Sequence, residues 1–520
     1  MCRTIGGNAM EMQLLRENME TEQVISAKPT QAVVEAEVAL PGGLREEARV
    51  YFADASVSVN GGEISGSRVT AEGRVTFHVL YAQGDLAKVA AMEAAADFTQ
   101  ALPLKEENPQ LPALRIHPRA EVQHVSAKAF NGRLLLRAIL LLTAEASLPR
   151  TLSFIRDVAE EEQIQRDTQV LSMQRAVGEG ENQTLLREEF ELSDVLQIKD
   201  TLYATAQAQV EDISGGADGR ATVTGVLTLD AYHTADMPGR PLVYTRHSMP
   251  FEQTVGLSGA LGDALSARTW VKDVAVLSQD GENGSKIMRA EVQLVTEITA
   301  VADESMTVLR DLFTTRGEAI ETRSQHVIFR KGTVNEQTAE SGKTVLVLPE
   351  GSPRVKTPLL AFVRPILVKA EKQNGKLAVE GILETTLVYR TDDSDIPVSI
   401  DQEEPFRAVF STNAEPEDGL MLTASQAEAS AVTGDRVEMK YILHLQADGV
   451  RKGEAEVITD ALKAEAPEEE KGIALYFPQE GETLWEIAKR YRVPMEEIRA
   501  MNPAFSEGAL PGTPVITYRK

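Results

Sequence analysis

Apolar and polar residues alternate with a period of two along most of this chain. In residues 291–298 (Glu-Val-Gln-Leu-Val-Thr-Glu-Ile) and 385–389 (Thr-Thr-Leu-Val-Tyr) the alternation places apolar side chains on one face of an extended strand. Asn-Gly pairs at 60–61, 131–132, 283–284 and 374–375 favour the positive φ angles of tight hairpins between such strands. The period changes only near the C-terminus. There Leu484, Ile487, Ala488 and Tyr491 form one apolar stripe at helical spacing, opened by Thr483 and Glu486 in the pattern of a helix-capping box. Val493-Pro494 breaks that helix, because proline disfavours helical geometry in the residue before it. A second helix is predicted over residues 495–501 with Ile498 inward and Asn502-Pro503 as its stop. Strands on either side complete a β-α-α-β unit of about fifty residues.

The strand-rich region repeats itself. Gly73, Gly225 and Gly381 each interrupt an alternating pattern, and a tyrosine follows each of them at Tyr81, Tyr232 and Tyr389. A phenylalanine stands 25, 26 and 25 residues after the glycine, at Phe98, Phe251 and Phe406. Asn131-Gly132, Asn283-Gly284 and Gly434-Asp435 then lead into another strand. Each copy closes on an apolar-x-Asp-apolar signature: Ile155-Arg156-Asp157-Val158, Leu309-Arg310-Asp311-Leu312 and Ile458-Thr459-Asp460-Ala461. Landmarks recurring in one order imply three copies of one domain, and a period of roughly 150 residues is long enough for each copy to own a core. A glycine inside a strand marks a bulge or a close backbone approach before it marks a functional site.

The expected fold class is therefore mainly β: three tandem β-rich domains and a small C-terminal βααβ domain. The expected limits are a disordered tail at 1–11, repeats at 12–165, 166–320 and 321–462, an acidic linker at 463–472 and the C-terminal module at 473–520.

A chain of 520 residues exceeds a single hydrophobic core, in keeping with several domains. With 53 Lys and Arg against 79 Asp and Glu, the formal charge is −26, which repels nucleic acid and anionic lipid and suits a basic partner. Cys2 is the only cysteine, so no intramolecular disulfide forms. The first residues lack the apolar run of a signal peptide, and the longest apolar run, 134–142, is interrupted by Arg137. A cytoplasmic location without a membrane span is expected.

Catalytic chemistry is hard to place. The histidines at 78, 117, 124, 233, 247, 326 and 444 show no metal-binding spacing, so neither a metal nor another cofactor is expected. Ser341-Gly342-Lys343-Thr344 has the end of a phosphate-binding loop, but Gln337 stands where the first glycine is required, and a strand-like Val345-Leu346-Val347 follows in place of a helix. No nucleophile elbow or Cys–His pairing is present, and no enzymatic activity is expected.

The run from Gly481 to Tyr491 (Gly-Glu-Thr-Leu-Trp-Glu-Ile-Ala-Lys-Arg-Tyr), with Asn502-Pro503 after it, closely resembles the LysM domain. The resemblance implies a ligand groove between Gly481, Glu482, Thr483 and Leu484 on one side and Asn502, Pro503, Ala504 and Phe505 on the other. In LysM domains such a groove holds N-acetylglucosamine polymers through loop backbone groups. Trp485 and Tyr491 either stack on sugar or serve core packing or a partner contact. Glu482 replaces the usual Asp, Pro478 a strand Val, and Thr517-Tyr518 the closing Ile-Pro. Repeats followed by one LysM also resemble SipL-like spore morphogenetic proteins, in which repeated SPOCS domains precede a C-terminal LysM. That resemblance implies a non-enzymatic adaptor in the mother-cell cytoplasm. Its LysM would dock a SpoIVA-type morphogenetic ATPase at the forespore surface, and its repeats would recruit other spore coat proteins. The competing reading is a cell-envelope protein that binds peptidoglycan or another N-acetylglucosamine polymer.

Overall fold

A computed structural model describes residues 13–41, 47–105, 115–159, 163–216, 218–281, 285–465, 472–479, 481–503 and 514–519. The expected tail at 1–11, the Asn283-Gly284 turn, most of the linker, and Ala504 and Phe505 lie outside the described residues.

The first seven strands are β1 (Leu14–Ser26), β2 (Thr30–Ala39), β3 (Ala48–Ser65), β4 (Arg68–Gln83), β5 (Ala90–Pro103), β6 (Arg115–Phe130) and β7 (Arg133–Val158). The next seven are β8 (Ile164–Leu192), β9 (Ile198–Gly215), β10 (Arg220–Met237), β11 (Arg240–Gly256), β12 (Ser258–Gly259), β13 (Ala264–Asp280) and β14 (Lys286–Thr314). Six more follow: β15 (Ala319–Val347), β16 (Thr357–Gln373), β17 (Lys376–Arg390), β18 (Val398–Phe410), β19 (Leu420–Thr433) and β20 (Arg436–Ala464). One topology appears three times. The last strand of each unit is paired on one edge by the first strand (β1 and β2 in unit 1, β8 in unit 2, β15 in unit 3) and on the other by the penultimate strand. The middle strands form a separate antiparallel meander, β3-β4-β5, β9-β10-β11 or β16-β17-β18. The apolar face of each sheet meets that of the other, so every unit is a two-sheet sandwich around its own core. The mainly-β expectation holds.

The repeated glycines and phenylalanines are one device. Gly73 lies opposite Phe98, Gly225 opposite Phe251 and Gly381 opposite Phe406 on adjacent strands. A Cβ on Gly225 would collide with the Gln209 carbonyl oxygen and sit 2.7 Å from the Phe251 ring. At Gly73 and Gly381 the corresponding ring distances are 2.6 and 2.8 Å. The missing side chain leaves room for the aromatic ring to lie across the neighbouring strand.

Two of the Asn-Gly turns form as expected, with φ of 48° and 69° at Asn131 and Gly132, and of 51° and 77° at Asn374 and Gly375. Asn60-Gly61 does not turn. The register of β3 against β4 shifts between Val59 and Gly61, the strand runs on to Ser65, and Gly66 at φ 61° makes the hairpin. A bulge absorbs the local turn preference because the apolar alternation continues beyond it.

The three units interlock. Beyond each sandwich the first and last strands continue as a two-stranded ribbon, and the three ribbons pack into one column. Met19 and Phe154 of unit 1, Leu171 and Val308 of unit 2, and Phe329 and Val457 of unit 3 meet there with at most 6% exposure. Farther along, Ile155, Val158, Ile164, Leu309, Leu312 and Ile458 continue the contact. Elsewhere the meander sheets converge on an aromatic junction, where Phe52 stacks on Phe362 at 3.5 Å between ring centres and Tyr203 stacks on Tyr232.

Edge strands of all three units line a cavity of about 1360 Å³. Ion pairs in its wall cross between units. Asp54 accepts from Tyr203 at 2.6 Å and pairs with Arg364, His117 meets Glu297 at 3.2 Å, and Asp448 pairs with both Arg119 and Arg268. Burial would raise the Asp54 carboxyl, but Arg364, Tyr203 and the Ala55 N–H outweigh it and hold it below its ordinary value.

Candidate functional site

The C-terminal module pairs β21 (Gly472–Tyr476) with β22 (Val515–Arg519), and between them come α1 (Leu484–Tyr491) and α2 (Met495–Met501). The order β-α-α-β is the expected one. Thr483 caps α1 reciprocally: its hydroxyl accepts from the Glu486 N–H, and the Glu486 carboxylate accepts from the Thr483 N–H at 2.8 Å. Leu484, Ile487 and Ala488 are buried, and Ile498 of α2 and Val515 of β22 close over them. Arg492 turns the chain between the helices at φ 50°.

Most of the expected groove residues have intramolecular partners. Gly481 forms the open loop at φ 83°. Glu482 accepts from the Tyr476 hydroxyl at 2.8 Å and the Gln479 N–H at 3.1 Å, and pairs with Arg490 at 2.9 Å. Burial alone would raise its carboxyl, but these three partners hold it below the usual carboxylate range. Thr483 is the cap and Leu484 belongs to the core. Asn502 is 6% exposed and ties α2 to β22: its amide donates to the Ile498 and Ile516 carbonyls at 2.7 Å, and its oxygen accepts from the Ile516 N–H. Pro503 is exposed beside it. A ligand reaching the 481–483 loop meets main chain more than free side chains.

Trp485 faces the column. Its indole N–H donates to Asp311 at 2.8 Å, and its ring meets Phe313 edge-on at 5.0 Å. Lys489 donates to both oxygens of the same carboxylate, at 2.7 and 2.8 Å. Arg492, 7% exposed, donates to the Thr314 carbonyl at 2.9 Å, the Thr314 hydroxyl at 2.7 Å and the Gly317 carbonyl at 2.8 Å. Tyr491 packs edge-on against Tyr476 at 5.7 Å. The module is thus seated on the end of β14, with Phe313 entering its core.

The seat reuses the closing signature of the repeats. Asp157 pairs with Arg166 of unit 2 at 2.7 Å, and Asp460 pairs with Arg16 of unit 1 at 2.8 Å. At the third equivalent position Asp311 takes its partners from α1. The sequence marked Asp311 as a repeat landmark, but nothing in the pattern joined it to residues more than 170 positions away. Arg492 and Phe313 carried no sequence signal at all.

The family model described as LysM domain matches residues 479–510. This stretch is a LysM domain. LysM domains point to peptidoglycan and other N-acetylglucosamine polymers as a ligand class. No curated protein and no solved structure matches the chain. Among the described residues no helix is long and apolar enough to cross a membrane, and no group of three or more His, Cys, Asp or Glu is placed to hold a metal ion. Ser341, Gly342, Lys343 and Thr344 lie within β15, with Gly342 under the ring of Tyr441 on the next strand.

Proposed function

We propose that this chain is a non-enzymatic adaptor of spore envelope assembly. Its LysM docks a SpoIVA-type morphogenetic ATPase at the forespore surface, and its three SPOCS-like repeats recruit or stabilise other coat proteins from the mother-cell side. The observation that supports the adaptor reading is that Trp485 and Tyr491, the two aromatic residues of the motif helix, are engaged within the molecule, which leaves a sugar only the main chain of the 481–483 loop. Trp485 is bonded to Asp311 and packed on Phe313, and Tyr491 packs on Tyr476, so neither ring is presented for stacking on a pyranose. Three sandwiches joined by a common apolar column also provide a broad surface, which suits a scaffold.

The second reading, a binder of peptidoglycan or another N-acetylglucosamine polymer, is favoured by the LysM match itself and by the open main chain at Gly481. Co-sedimentation of the full chain with insoluble peptidoglycan, run beside capture on the immobilised ATPase, separates the two. The adaptor reading expects retention on the ATPase alone. Retention on peptidoglycan alone would replace it with the second reading.

A further inference from the structure

The sheet of the LysM module is apolar on both faces. Ala474, Tyr476, Val515 and Thr517 point toward the helices, as the fold requires. On the other face Ile473, Leu475, Phe477, Ile516 and Tyr518 are 74, 62, 62, 40 and 43% exposed. Ile473 stands opposite Tyr518 and Leu475 opposite Ile516, so these four side chains share one face, and Phe477 follows directly after the strand. A strand apolar on successive residues is the pattern of a strand covered on both sides, whereas a sheet with one wet face alternates apolar with polar. Contiguous apolar surface of this kind marks an interaction site, unlike single exposed apolar residues. The helices and Trp485 face the column, so the patch lies on the side of the sheet away from them.

We propose that this face is the interface between two copies of the chain, joined LysM to LysM. Three observations select a second copy as the occupant. The patch contains no charged residue, so it is complementary to itself, as a two-fold interface requires. Residues 473–520 hold six Lys and Arg against six Glu, so the net charge of −26 lies entirely on the residues before them. Two copies therefore carry like net charge on the residues before the module, whereas the module itself is formally neutral. The five side chains leave on the order of 600 Å² open, and two such faces together reach about 1,200 Å², the lower end of stable protein interfaces. The inference stands apart from what the 481–483 loop binds.

Sedimentation equilibrium of the full chain tests it. The expected mass at up to about 100 μM, where a micromolar interface is saturated, is twice 56.7 kDa. Leu475→Glu with Ile516→Glu is expected to return the chain to a single 56.7 kDa species. Val432→Glu, on a side chain 60% exposed in β19, is expected to leave the dimer intact. If the double glutamate variant misfolds by circular dichroism, Leu475→Thr with Ile516→Thr keeps strand propensity and is expected to weaken self-association at least tenfold. A wild-type chain monomeric throughout that range, or a dimer unaffected by the face variants, overturns the proposal. So does a monomer that uses this face to hold a different protein.

Discussion

Gly225 shows how much physical content a single repeated residue carries. Its hydrogen makes space for Phe251, which is 4% exposed and sits at the centre of the second sandwich. Gly225→Ala would push a methyl group into the Gln209 carbonyl and the ring. Overpacking of this kind costs about 1–3 kcal/mol. The expected result is a urea midpoint lowered by that free energy divided by the slope, with the slope itself unchanged, measured by circular dichroism. An unchanged midpoint would mean that the ring does not depend on the glycine. Gly73 with Phe98 and Gly381 with Phe406 were legible as spaced landmarks because cross-strand partners in a hairpin keep a fixed separation along the chain. Their mutual contact was not, since spacing gives no register until the strands are paired. Asn60-Gly61 misled for a related reason: a local turn preference yields to a strand whose apolar face continues.

At the scale of elements, the capping box, the helical stripe and the proline break of the LysM were readable because they act within one turn of helix. The seat of α1 was not, because its partners come from β14, more than 170 residues earlier in the chain. Asp311 holds Trp485 and Lys489 together, and bonds to a charged group are worth about 1.5–3 kcal/mol each. Asp311→Ala is therefore expected to raise amide exchange in α1 at least tenfold while the sandwiches keep their protection. Asp157→Ala, at the equivalent position of unit 1, is expected to leave α1 unaffected because its partner is Arg166. Equal exchange in wild type and Asp311→Ala would show that the carboxylate does not hold the module.

Across the whole molecule, three diverged copies of one sandwich use the same strand extensions to build a column, and the LysM occupies one position of its end. Alternation and repeat spacing made the mainly-β class and the C-terminal βααβ domain legible. The column, the aromatic junction and the cavity between units depend on contacts between copies, for which one sequence offers no periodic signal. His117 and Arg119 on β6 illustrate this, since each reaches a carboxylate of a different unit. This architecture directs Trp485 and Tyr491 of α1 inward, and the proposed function rests on that direction. The chain has only two tryptophans, and the other, Trp270, lies in the cavity wall with Arg268 over its ring. In a Trp270→Phe chain the emission reports on Trp485 alone. Titration of that chain with N-acetylglucosamine oligomers is predicted to leave its emission unchanged in wavelength and intensity. A saturable shift or quench with oligomer concentration would contradict the account.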